Sequence, residues 1–169
     1  MDVLLIDGYN IIGDWDELKK LRDIDLDQAR QRLIEIMAEY QAYCGDRVII
    51  VFDAYEVKGP ESKENHFNIE VIYTKKNETA DQCIERLVKE FKNIKTKVYV
   101  ATSDYTEQRT IFQQGAYRKS ARELAIEVGQ IKNEISDELR TYEKQKQGRF
   151  LPIKQDIIDQ FEKMRRGRG

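Results

Sequence analysis

Apolar residues are unevenly spread along this chain, and their spacing changes character from block to block. Val3 to Ile6, Val48 to Phe52 and Val98 to Ala101 are short continuous apolar runs, each entered from a polar segment and left into acidic or turn-forming residues. Such runs predict strands buried on both faces, as in a parallel sheet. From His66 to Thr74 the pattern alternates instead, with Phe67, Ile69, Val71 and Tyr73 on one side and an interruption at Ile72. That predicts a fourth strand, at an edge or half covered.

Between the strands the period becomes helical. Leu26, Ala29, Leu33, Ile36, Met37 and Tyr40 share one face, and Ala80, Ile84, Leu87, Val88 and Phe91 share another. Strand and helix in alternation predict an α/β fold of three layers, with right-handed crossovers and helices on both sides of a mostly parallel central sheet. The stretch from Ala54 to Asn65, with Lys58, Gly59, Pro60 and Lys63, predicts an exposed loop. After Gly115, a long polar helix is expected from Ser120 to about Lys144, with Leu124, Ile131, Ile135 and Leu139 as its stripe. Gly148 should break it, Pro152 can open a last helix bearing Ile153, Ile157, Phe161 and Met164, and an RRGRG tail follows. The expected organisation is one domain over 1–145 and a C-terminal helical extension with a basic tail over 146–169.

Composition narrows the class. With 169 residues the chain can bury a core without disulfides or a structural metal. A formal net charge of −2 argues against a uniformly basic surface, so any contact with nucleic acid must come from local clusters. Cys44 and Cys83 stand apart, with no CxxC spacing, and read as buried thiols. The apolar run at the start is too short for a signal peptide or membrane span, so a cytoplasmic monomer with no membrane partner is expected.

Acids mark the ends of the predicted strands. Asp7 closes the first, Asp53 closes VIIVFD, Asp104 closes VYVATSD, and Asp81 lies near the start of the helix after the alternating strand. In open α/β sheets ligands bind beyond the carboxyl ends of the strands, near the point where strand order reverses. Each acid also has an ordinary use: Asp104 with Glu107 fits a helix-capping pattern, Asp81 suits a first helical turn, and Asp7 or Asp53 can close a turn. Their coincidence is harder to explain. Two carboxylates about 5 Å apart at an effective dielectric near 20 repel by roughly 3 kcal/mol, so several at one rim need a compensating cation. Oxygen-only ligands favour Mg²⁺ or Mn²⁺ over zinc. Asn10 and Ser103, beside Asp7 and Asp104, can orient a water or phosphate oxygen, or serve turns and caps.

The histidine count removes other chemistries. His66 is the single histidine, so paired imidazoles for metal-free RNA cleavage are absent, and no triad motif surrounds it. A haloacid-dehalogenase-type phosphatase requires a second Asp two residues after the first, where this chain has Tyr9, and no GxxxxGK[ST] phosphate loop occurs. Metal-assisted hydrolysis remains, beside a non-catalytic RNA-binding module and a small-molecule phosphatase.

Four ordered segments, LLIDGYNIIG, AEYQAYCGDRVIIVFDAYEVKG, VIYTKKNETADQCIE and VATSDYTEQRTIFQQGAYRKSARELAIEV, together resemble the NYN domain, a PIN-like nuclease fold, and more narrowly its bacterial YacP type. The resemblance spans nearly the whole chain. It implies an endoribonuclease dependent on Mg²⁺ or Mn²⁺, cutting messenger RNA in the ribosomal A site, with mRNA and the ribosome as partners. By that resemblance Asp7 is the first metal carboxylate with Asn10 as its amide, and Asp53, Asp81 and Asp104 are the other metal acids. It makes Asp7, Asn10, Asp81 and Asp104 catalytic, sets Ser103 before the last acid, and leaves Glu78 as an additional candidate. For substrate contact the residues themselves offer Arg109, Arg118, Lys119 and Arg122 after the last acid. Lys58, Lys63, Lys75 and Lys76 add charge, Tyr55 and Tyr105 could stack on unpaired bases, and Arg165, Arg166 and Arg168 extend the basic character of the tail.

Overall fold

The continuous apolar runs occupy the middle of the sheet because both of their faces are covered. Strand β1 (Val3–Asp7) is buried throughout, and β2 (Arg47–Phe52) is buried from Val48 onward. In the computed structural model, which describes residues 1–53, 62–66, 68–93, 95–104, 109 and 113–150, these two pair in parallel with Leu4 opposite Val48 and Asp7 opposite Val51. Strands β3 (Ser62–His66), β4 (Ile69–Tyr73), β5 (Val98–Ala101) and β6 (Tyr117–Lys119) complete a 6-stranded sheet in the order β3-β4-β2-β1-β5-β6. Only β3 runs antiparallel, against β4; the other pairings are parallel.

Alternation along these strands separates two cores. Val3, Leu5, Ile49, Val51, Val98 and Val100 face helix α4 (Ala80–Phe91) and pack with its Cys83, Ile84, Leu87 and Val88. Helices α1 (Gly8–Asp14), α2 (Asp16–Ile24) and α3 (Leu26–Cys44) belong to the other layer, which takes Leu4, Ile6, Val48, Ile50 and Phe52. The α/β architecture expected from the sequence is therefore present. Helix α3 starts where Asp25 accepts a hydrogen bond from the Asp27 amide, and it ends at Gly45, whose φ of 76° is the left-handed conformation glycine adopts without strain. Helix α4 starts with a full capping box between Thr79 and Gln82.

The structure departs from the sequence reading in four places. Cys83 is buried as expected, but Cys44, in the last turn of α3, is exposed. Ser62–His66, assigned mostly to a loop, pairs with β4 as the sheet's antiparallel edge, and the chain reverses at Asn68 with φ 68°. His66 thus ends β3 instead of opening one long strand, and β4 is covered on its outer side. The last helix, α5 (Ala121–Phe150), continues through Gly148, because one glycine weakens a helix by only about 1 kcal/mol relative to alanine. The chain divides into two compact units, Met1–Val128 and Gly129–Gly169, so the unit carrying the sheet closes before residue 145. The helix expected after Pro152 and the basic tail lie outside the described residues, as do Tyr55, Lys58 and Tyr105.

Residues 121–128, the part of α5 that belongs to the first unit, are fastened within it by polar groups. The Trp15 indole donates to the Ala121 carbonyl at 2.8 Å, and the Glu127 carboxylate accepts from the Tyr40 hydroxyl at 3.0 Å and from Lys119 Nζ at 2.9 Å. Burial, followed by the nearby Glu127 charge, pushes the Tyr40 phenol well above its ordinary value of 10. A raised folded-state pKa leaves its contribution intact below pH 10 and loses it as pH climbs toward the folded value, because the unfolded chain ionises first. Above pH 10 the wild type should therefore lose about 1.4 kcal/mol of stability per pH unit to this group. Tyr40→Phe should show a shallower alkaline decline by that amount in denaturant unfolding.

Candidate active site

Strand order supplies the crevice. From β1 the chain builds outward to β2 and β4 on one side, then returns to place β5 and β6 on the other. The reversal falls between β1 and β5, and their carboxyl ends part there. Asp7 is the last residue of β1, and Thr102, Ser103 and Asp104 follow β5 directly.

These residues are joined by hydrogen bonds across a separation of more than 90 positions in sequence. The Thr102 hydroxyl donates to Asp7 Oδ2 at 3.4 Å and accepts from the Asp104 backbone amide at 3.1 Å. Asn10 Oδ1 accepts from the Ser103 amide. Thr102 is fully buried and Asp7 only 8% exposed, so the Asp7 carboxylate meets a fixed hydroxyl donor and not bulk water. Asp104 and Asn10 are half-buried.

A second pair of acids lies along the same rim. Asp53, just past β2, accepts at Oδ2 from the Ala80 amide at 3.3 Å, using one of the unfilled donors at the start of α4. Asp81 occupies the first turn of that helix, where the aligned peptide dipoles favour negative charge. Because Asp7 lies opposite Val51, Asp53 stands two residues further on the same face of the sheet. Strand geometry sets their Cα atoms roughly 8 Å apart. Glu78 is otherwise engaged: its carboxylate is paired with the Arg86 guanidinium at 3.2 Å.

The four predicted acids thus fall into two neighbouring pairs. Among the described residues, no three Asp, Glu, His or Cys side chains converge into a ready-made metal cage. The expected basic cluster is also divided. Neighbouring residues of a strand point to opposite faces, so Arg118 and Lys119 on β6 do not act on one surface. Lys119 is bound to Glu127 and lies 5.0 Å over the Tyr99 ring, while Arg109, Arg118 and Arg122 are exposed. Sequence reasoning overlooked Thr102, whose only signal is a hydroxyl placed where an apolar strand gives way to Ser-Asp. It also passed over Tyr9, inside the same DGYN stretch that supplied Asp7 and Asn10.

Comparison with known proteins now adds to this geometry. Residues 4–166 match the family model of the YacP-like NYN domain. The chain belongs to the YacP-like NYN family. It is 52% identical over 167 residues to the uncharacterised protein YacP of Bacillus subtilis (strain 168), covering 99% of this chain and 98% of that protein. It is also similar to the crystal structure of Rae1 (YacP) from Bacillus subtilis, at 51% identity and a TM-score of 0.76, covering 99% of this chain and 96% of the other. A crystal structure of a point mutant of that Bacillus protein matches at 52% identity and a TM-score of 0.75, over 83% of this chain and 82% of the other. The YacP-like NYN family has a nuclease-like fold. Among the described residues, no helix is long and apolar enough to cross a membrane.

The Thr102 link has a measurable consequence. Thr102→Val keeps the shape but removes the hydroxyl that links Asp7 to the Asp104 amide, and loss of a hydrogen bond to a charged group costs about 1.5–3 kcal/mol. Denaturant unfolding should show a loss in that range, with Thr102→Ser close to wild type.

Proposed function

We propose that this protein is a metal-dependent endoribonuclease that hydrolyses RNA phosphodiester bonds, acting on messenger RNA in the A site of translating ribosomes. The observation that carries the chemistry is the Thr102 hydroxyl, joined at once to the Asp7 carboxylate and the Asp104 backbone at the reversal of strand order. Family membership over residues 4–166 supports the nuclease class. The ribosomal part rests on the resemblance to the YacP type. A cytoplasmic location follows from that reading.

Asp7, Asp53, Asp81 and Asp104 would hold Mg²⁺ or Mn²⁺. Their donor set is oxygen alone, which suits hard cations, and two pairs of acids suit a cation that keeps several waters and takes one or two carboxylates directly. When bound, such an ion supplies an acidified water and offsets charge on the scissile phosphate. The chain's own groups do the positioning. Thr102 fixes the Asp7 carboxylate, the Ala80 amide fixes Asp53, and Asn10, with its carbonyl committed to Ser103, turns its amide nitrogen to the remaining task of donating to a phosphate oxygen. Arg109, Arg118 and Arg122 are exposed and are candidates for contact with the RNA backbone.

A second reading, an RNA-binding module without catalysis, has one observation in its favour: no three acids converge among the described residues. One experiment separates the two. In Mn²⁺, with naked RNA and with translating ribosomes, Asp7→Asn and Asp81→Asn should each lower cutting by on the order of 100-fold or more while circular dichroism stays unchanged. Full activity in both variants would reject the acid assignment. Absence of cutting by the wild type under all these conditions would favour the binding module.

A further inference from the structure

Beside the acids, the same rim carries a row of rings. Phe52 is the last residue of β2 and Tyr73 the last of β4, opposite each other in parallel register, while Tyr9 is the second residue of α1. The Tyr9 and Phe52 ring centroids are 5.0 Å apart, tilted by 49°, and those of Phe52 and Tyr73 are 5.5 Å apart, stacked at 25°. Phe52 is fully buried; Tyr9 and Tyr73, at the two ends, are half-exposed. All three lie within a few residues of Asp7 or Asp53 in sequence or across the register.

The row is built, not incidental. A methyl group at Gly8 would run into the Phe52 ring, so α1 can bring Tyr9 down onto Phe52 only because glycine stands there. Arg30 on α3 then fixes the outer ring: its Nη1 donates to the Tyr9 hydroxyl at 3.1 Å and its Nη2 to Asp27 at 3.2 Å. The Arg30 side chain is only 14% exposed, and its Nε is buried without a hydrogen-bond partner among the described residues. A cation half-satisfied in this way is costly, and packing alone does not call for it. Its evident effect is to set the orientation of Tyr9.

We infer that Tyr9 and Tyr73, backed by Phe52 and with Tyr9 held by Arg30, form a platform on which bases of single-stranded RNA stack as the strand crosses the acidic rim. Arg30 is a positioning residue here, acting through the Tyr9 hydroxyl. Stacking suits this rim because aromatic faces attract any base, whereas the carboxylates beside them repel the phosphates. The inference deepens the nuclease reading by naming how the substrate is held, and it rests on that reading for the identity of the ligand as RNA.

The test uses the full-length protein with a single-stranded RNA containing 2-aminopurine, whose fluorescence falls when the base stacks. Binding is measured in EDTA and again in Ca²⁺, so that cutting does not intervene. Tyr9→Leu and Tyr73→Leu should each weaken affinity on the order of tenfold and lose the quench, while Tyr73→Phe keeps both. Arg30→Gln should fall between them, raising the KM for RNA cutting in Mn²⁺ more than it lowers kcat, with partial recovery in Arg30→Lys. If either leucine variant fails to fold, photocrosslinking of iodouridine-substituted RNA to the wild type decides, with adducts expected on Tyr9 or Tyr73. Wild-type affinity and quench in both leucine variants, adducts only elsewhere, or no RNA binding in either condition would overturn the platform, whatever the cutting activity. Stacked binding without any cutting in Mn²⁺, of naked RNA or on translating ribosomes, would overturn the nuclease reading and leave the platform standing.

Discussion

The site depends on a single hydroxyl placed where the parallel sheet comes apart. Thr102 lies one residue beyond β5, at a level where two neighbouring strands stop satisfying each other's backbone groups. Its oxygen both donates to Asp7 and accepts from the Asp104 amide, so the ends of β1 and β5 are joined through it after their ladder has finished. A valine there would fill the same volume and leave the buried Asp7 carboxylate and the half-buried Asp104 amide without that link. The Asn10 to Ser103 hydrogen bond repeats the connection one residue further out. Between them they turn a sheet edge into a fixed frame for carboxylates.

The second pair of acids is stabilised differently. Asp53 and Asp81 sit at the amino end of α4, where unpaired amides and the aligned peptide dipoles offset negative charge without any metal. That explains how one rim carries four acids in a chain of net charge −2 and still folds. The helix end relieves one pair, and the Thr102 hydroxyl relieves Asp7 in the other. Glu78, by contrast, is paired with the Arg86 guanidinium.

What the sequence disclosed follows from burial. The central strands were legible because both faces of a parallel sheet are covered, making Val48 to Phe52 and its neighbours continuous apolar runs. Helices α3 and α4 were legible from their apolar period. Strand β3 was not, since Ser-Lys-Glu-Asn-His on an edge carries no apolar pattern, and β6, Tyr-Arg-Lys, is too short and too polar to register. Helix α1 was hidden because it starts at Gly8, immediately after a strand, with no side chain capping it. Of the site, the four acids could be read individually, but their division into two pairs could not. It arises from strand register and from the Ala80 amide, neither of which is written locally.

Register also redistributes the positive charge. Lys119, on the face away from Arg118, is spent on Glu127 and the Tyr99 ring, where it helps hold the start of α5. Among the described residues, a polyanion approaching the acidic rim therefore meets one cation fewer than the cluster of Arg109, Arg118, Lys119 and Arg122 offers in the sequence. An attraction indifferent to charge is the natural complement, and the rim has one in the Tyr9, Phe52 and Tyr73 row. Alternation places Phe52 and Tyr73 on the α3 side of the sheet while Asp7 and Asp53 continue the α4 side, so rings and carboxylates flank the rim from opposite faces. For a strand of RNA lying across such an edge, bases and phosphates are sorted by the pleat itself: stacking on one side, and on the other the acids proposed to work through a cation. Gly8 sits at the crossing, and its missing side chain lets the junction of β1 and α1 carry Asp7, Tyr9 and Asn10 to both sides at once.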